Sequence, residues 1–74
     1  MIHEIKKILV KIRPDVDFDK EKQLLSSEIL DSFDVISIIA ELSEKFHIEI
    51  EPESVTEKYF DSLEGIEELV KKLK

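Results

Sequence analysis

Apolar residues open the chain at helical spacing: Ile2, Ile5, Ile8, Leu9 and Ile12 share one side, Lys6, Lys7 and Lys11 lie elsewhere, and Arg13-Pro14 ends the pattern. A first amphipathic helix is predicted over 2–12. From Pro14 to Leu30 no period is sustained, yet Val16, Phe18, Leu24, Leu25, Ile29 and Leu30 are too apolar for a floppy linker. A long ordered loop in so short a chain usually has a purpose. Asp31 or Ser32 then serves as an N-cap, Asp34 falls in the first turn, and a second helix runs to Phe46. His47 to Glu51 alternates like a strand, but no partner strand exists elsewhere, so an extended connection is expected. Pro52 suits the first position of a short third helix reaching about Tyr59. Asp61 or Ser62 caps a fourth helix with Leu63, Ile66, Leu69, Val70 and Leu73 on one stripe and Lys71, Lys72 and Lys74 at its C-terminal end. Gly65 in its first turn allows close approach of another helix or is a tolerated weak point. The expected architecture is all-α: one domain over 1–74, an antiparallel bundle of three main helices and one short one, monomeric by itself.

The second helix carries more apolar surface than one core face requires. At about 100° per residue, Val35, Ile38, Ile39, Leu42 and Phe46 cluster within roughly 60° of one direction. Phe33, Ile36 and Ala40 form a second stripe, while Asp34, Glu41, Glu44 and Lys45 occupy the remaining face. Either the bundle wraps far enough around this helix to bury both stripes, or the second is a partner patch. In the latter case contact area gives affinity and the flanking carboxylates give orientation and association rate.

Composition narrows the function. A 74-residue chain buries too little surface to build a deep cleft. With no Cys there is neither a disulfide framework nor a thiolate metal site, and any thiol chemistry must be imported. A net charge of -7 disfavours nucleic acid and anionic membrane surfaces and favours a basic patch on another protein. The apolar runs are far too short for membrane insertion or a signal peptide, so a cytoplasmic protein is expected. His3 and His47 are the only near-neutral bases and form no spaced constellation with a nucleophile or carboxylate, which points away from an enzyme and from a metal site.

The stretch Leu24-Leu25-Ser26-Ser27-Glu28-Ile29-Leu30-Asp31-Ser32-Phe33-Asp34 resembles the modification site of acyl carrier proteins and their aminoacyl and peptidyl carrier relatives. The rest of the chain is similar too: Glu41-Leu42-Ser43-Glu44-Lys45-Phe46, then His47-Ile48-Glu49-Ile50 with Pro52-Glu53, then Tyr59-Phe60-Asp61-Ser62-Leu63 leading into the last helix. The Asp-Ser dipeptide alone is a common cap; the order of elements around it carries the resemblance. It implies that a phosphopantetheinyl transferase moves 4'-phosphopantetheine from coenzyme A onto the Ser32 hydroxyl. A ligase then loads an acyl or aminoacyl group as a thioester for client synthases and transferases. Asp31, Phe33, Asp34, Ile36, Ala40, Glu41 and Glu44 are then the partner-recognition residues.

Two features depart from the family pattern. Glu28 stands where members often carry Gly, so the loop is not free to adopt a positive backbone dihedral there. Ser37 and Ser43 replace acidic residues of many fatty-acid carriers, and Lys45 adds a positive charge. The latter weakens the case for fatty-acid synthesis and favours a dedicated carrier for D-alanine or another amino or carboxylic acid. Asp61-Ser62-Leu63 spells the family tripeptide more literally than Asp31-Ser32-Phe33, but the helix after it has one stripe, all needed for the core, so Ser62 reads as a cap. The rival from another class is a helical adaptor that uses the Phe33, Ile36 and Ala40 strip without any prosthetic group.

Overall fold

The computed structural model describes all 74 residues. Helix α1 spans Ile2–Ile12, α2 spans Ser32–Phe46, a 3-10 turn covers Pro52–Ser54, and α3 (Glu57–Phe60) and α4 (Leu63–Leu73) complete an all-helical bundle. The apolar stripes converge on one core: Ile5, Ile8 and Leu9 from α1, Val35, Ile38 and Leu42 from α2, Phe60 from α3, and Leu63, Ile66, Leu69 and Val70 from α4. Helix α1 packs against both α2 and α4, and α3 lies on α4. Ile48 to Glu51 form neither helix nor strand and bury Ile50, but His47, expected to open an extended connection, is instead the left-handed C-cap of α2 at φ 55°.

One element differs from expectation. The short helix predicted over Pro52 to Tyr59 is interrupted: the 3-10 turn ends at Val55, Thr56 is extended at φ -128° and ψ 163°, and only Glu57–Phe60 is α-helical. Val55 and Thr56 are both β-branched and stiff about χ1, a weak bridge between two helical turns.

The long loop is ordered because it supplies core. Phe18, Leu24 and Leu30 are buried, and Val16, Leu25 and Ile29 pack around them. Its middle hangs on one residue ahead of α4. The Leu24 N–H donates to the Asp61 carbonyl at 3.0 Å. The Leu25 and Ser26 N–H groups donate to one Asp61 carboxylate oxygen at 2.9 and 2.8 Å, and the Ser26 hydroxyl donates to the other at 2.9 Å. Partial burial disfavours the charge on Asp61, but the bonds from the Ser26 backbone, its hydroxyl and the Leu25 N–H outweigh that, so its pKa lies below the ordinary carboxylate value.

Gly65 settles the packing of α3 on α4. A Cβ at this position would lie 2.7 Å from the Tyr59 carbonyl oxygen and 2.8 Å from that of Lys58, so the C-terminal carbonyls of α3 rest on bare α4 backbone. Close approach, one of the two sequence readings of Gly65, is what the fold uses.

Two outcomes are expected. Gly65→Ala, which gains about 1 kcal/mol of helix propensity in an open helix, should here lower stability by about 1 to 3 kcal/mol, read as a lower denaturant midpoint, because rigid backbone must move. The Asp61 contribution is fully present above the unfolded carboxylate pKa of about 3.9 and is lost as pH falls through the lower folded value. Asp61→Asn should therefore cost about 1 kcal/mol at neutral pH, and the gap between the two proteins should narrow in melts taken below about pH 4.

Candidate functional site at the head of the second helix

The first turn of α2 is held by a reciprocal cap. Asp31 is the N-cap, in extended conformation, and its carboxylate accepts the Asp34 N–H at 2.8 Å, while the Asp31 N–H donates to the Asp34 carboxylate at 3.2 Å. Ser32 is thus the first residue of the helix rather than its cap. Its side chain is exposed, and the Ser32 and Phe33 N–H groups lie at the open end of the helix, where no earlier carbonyl can pair with them.

Arg13, at the C-terminal end of α1, extends this cap. One guanidinium nitrogen donates to both the Asp34 carboxylate and the Ile29 carbonyl, each at 2.7 Å. The rest of the fork grips the Asp15 carboxylate at 3.0 and 2.9 Å. The end of α1, the end of the loop and the first turn of α2 are tied together at one group. The Asp34 side chain is only 13% exposed in this arrangement. Nothing in the spacing singles out Arg13 or Asp61 as site residues; the only sequence signals are that Arg13 is the lone arginine among lysines and that Asp61 precedes a helix cap.

The second apolar stripe of α2 faces outward. Phe33 is 81% exposed and Ile36 63% exposed, and Ala40 is exposed beside them. The bundle therefore does not wrap the second stripe. The acids placed with it by sequence have separate fates. Glu41 pairs with Lys11 of α1 at 3.1 Å, Asp34 is committed to Arg13 and to the cap, and Glu44 and Asp31 are exposed. Lys45 turns away to Glu4 of α1 at 3.6 Å.

Beside Ser32 lies an open groove of about 560 Å³, lined by Leu25, Leu30, Val35, Ile36 and Val55 with Glu28, Asp31 and Ser32 at its margin. Glu28 has φ 58°. The sequence argues against a positive dihedral there because no glycine is present; the chain adopts it nonetheless. The Glu28 N–H bonds to Leu25 O at 3.1 Å and the Leu30 N–H to Leu24 O at 3.0 Å, a reversal that needs a left-handed residue.

The second Asp-Ser pair is differently employed. Ser62 is the N-cap of α4, half-buried, and its hydroxyl oxygen accepts the Gly65 N–H at 3.1 Å.

The residues present at Ser32 fit a covalent phosphodiester. The exposed hydroxyl stands at the positive end of a four-turn helix whose first N–H groups are open to phosphate oxygens, an arrangement typically worth about 0.3 to 1 kcal/mol. Asp31 alongside offsets part of that gain. The arm would supply the thiol that this cysteine-free chain lacks.

No curated protein and no solved structure matches the chain. A family described as the phosphopantetheine attachment site matches residues 3–72, nearly its whole length. Its domains are non-catalytic carriers that hold 4'-phosphopantetheine covalently on a serine and work with phosphopantetheinyl transferases and synthases. By this match the chain belongs to the phosphopantetheine attachment site family, as a carrier of the acyl carrier protein type.

Proposed function

We propose that Ser32 is the serine that takes the phosphopantetheine arm, and that the protein carries an acyl or aminoacyl group as a thioester for a dedicated pathway. One contrast supports the choice of serine: Ser32 is exposed at the open end of the helix with the uncovered apolar stripe, whereas the Ser62 hydroxyl is occupied in capping α4. Partner enzymes grip the strip of Phe33, Ile36 and Ala40. Asp31 and Glu44 are the exposed carboxylates at its two ends, while Asp34 and Glu41 act through their ion pairs with α1 by fixing how α2 is presented. The cargo is chosen by the loading ligase, since an open apolar groove contacts many acids weakly and selects none of them strongly. Ser37, Ser43 and Lys45 lower the acidity of α2 and favour an amino acid or other specialised acid over fatty-acid intermediates. No helix is long and apolar enough to cross a membrane.

Incubation with coenzyme A and a broad-specificity phosphopantetheinyl transferase, followed by intact-mass measurement, tests the assignment. The parent and a folded Ser62→Ala variant should each gain one phosphopantetheine, and Ser32→Ala none. Modified Ser32→Ala, or an unmodified but folded Ser62→Ala, would reverse the choice of serine. A parent that never gains the mass would leave the adaptor reading.

The strip is tested by comparing stability with loading. Ile36→Asp places a charge on an exposed position and should cost about 1 kcal/mol or less, yet load slowly because the charge lies in the centre of the contact. Leu42→Ala empties a fully buried site and should cost about 2 to 5 kcal/mol, yet load at the parental rate wherever it stays folded. Denaturant melts paired with loading rates separate the two. Parental loading by Ile36→Asp would mean that the strip is idle.

A further inference from the structure

We infer that Glu28 is a recognition residue for the enzyme that modifies Ser32, its carboxylate meeting a basic group of that enzyme on the loop side of the serine while Phe33 and Ile36 enter an apolar recess. The inference rests on Ser32 being the attachment serine. Few carboxylates near the docking face remain without a partner. The net charge of -7 suggests many, but along α2 the ion pairs with Arg13 and Lys11 leave few. Asp34 is held by Arg13 at 2.7 Å and by the Asp31 N–H, and Glu41 by Lys11 at 3.1 Å. A carboxylate already closed on an intramolecular cation offers an incoming one much less than a bare carboxylate does. Asp31 has one oxygen committed to the Asp34 N–H. Glu44 is bare, but it sits about 18 Å further along the helix axis than Ser32. That is more than two screening lengths of about 8 Å at physiological salt.

Glu28 differs from all of these. It is exposed, neither of its carboxylate oxygens has an ion-pair or hydrogen-bond partner in the chain, and it lines the groove that Ser32, Asp31 and Ile36 also line. Ion pairing to α1 has left the flank of α2 largely neutral, so the charge a partner meets near the serine is concentrated on the loop. The partner surface that complements this face has an apolar recess for Phe33 and Ile36 and its basic group displaced toward the loop, not spread along the helix. Charges at the rim of a contact act mainly on association rate and on its salt dependence.

The test measures kcat/KM for phosphopantetheine transfer by a broad-specificity transferase at low and at physiological salt, with melts confirming that each variant is native. Glu28→Gln should lower kcat/KM about threefold and Glu28→Lys about tenfold at low salt, with a shallower salt dependence in both. Glu28→Gly, which also relieves the left-handed backbone, should match Glu28→Gln. Glu68→Lys, the same change of net charge on the exposed side of α4, should stay within about twofold of the parent. Parental rates for Glu28→Gln and Glu28→Lys would overturn the inference, as would an equal loss in Glu68→Lys, which would assign the effect to net charge. A loss in Glu28→Gly alone would assign it to backbone and overturn it too. A parent that gains no phosphopantetheine at Ser32 would defeat the functional reading itself, an outcome distinct from all of these.

Discussion

The Arg13 guanidinium, where α1 ends, reaches the Ile29 carbonyl and the Asp34 carboxylate at once. Everything that presents Ser32 depends on that meeting. Asp34 is the same residue that closes the reciprocal cap with Asp31, so the direction of α2, the exit of the loop and the first turn of the helix are set by a single cluster. An ammonium in place of the guanidinium has no planar fork with which to hold Asp15 by two bonds while reaching the other two acceptors. Because Asp34 is largely covered and paired, its charge works inward and builds the site more than it advertises it.

The loop closes on its other side through Asp61, whose carboxylate and carbonyl gather the N–H groups of Leu24, Leu25 and Ser26. A segment without regular structure is thereby pinned near its ends by Arg13 and in its middle by Asp61, while Phe18, Leu24 and Leu30 bury its apolar side chains. Two anchors leave little freedom to the residues between them, and the chain must reverse sharply between Leu25 and Leu30. Glu28 takes the left-handed conformation that the reversal needs, at a cost of about 1 to 2 kcal/mol relative to an ordinary backbone. The exposed pairs Lys11–Glu41 and Lys45–Glu4 add little stability in water, but they decide where charge remains available, and so shape the face more than they hold the fold.

The helices were legible in the sequence because each carries a period that core packing enforces; the stripes of α1, α2 and α4 are buried on the sides that the spacing names. The second stripe of α2 was visible as surplus, though spacing alone could not say whether the bundle would cover it. The loop was not legible in the same way. Its path depends on bonds between residues 21 positions apart, from Arg13 to Asp34, and 35 or 36 apart, from Ser26 and Leu25 to Asp61. Such contacts leave no periodic trace. The positive dihedral of Glu28 is hidden from the sequence for the same reason, since residue preference favours glycine there but two distant anchors impose the turn. The break at Val55 and Thr56 is the reverse case, a local preference that a reading based on the proline start overlooked.

Two Asp-Ser pairs, each followed by a bulky apolar residue, lie in one short chain, and what separates them is conformation. At Ser62 the oxygen lone pairs face the Gly65 N–H inside a half-buried turn. At Ser32 the capping role has passed to its neighbour, which leaves the hydroxyl outside. A transferase reading only a tripeptide in an unfolded chain would meet two nearly equal choices. In the native protein it meets one. On the proposed assignment, fidelity of labelling is a property of the folded state, and a chain that emerges unfolded or lingers partly folded has lost the information that tells its two serines apart.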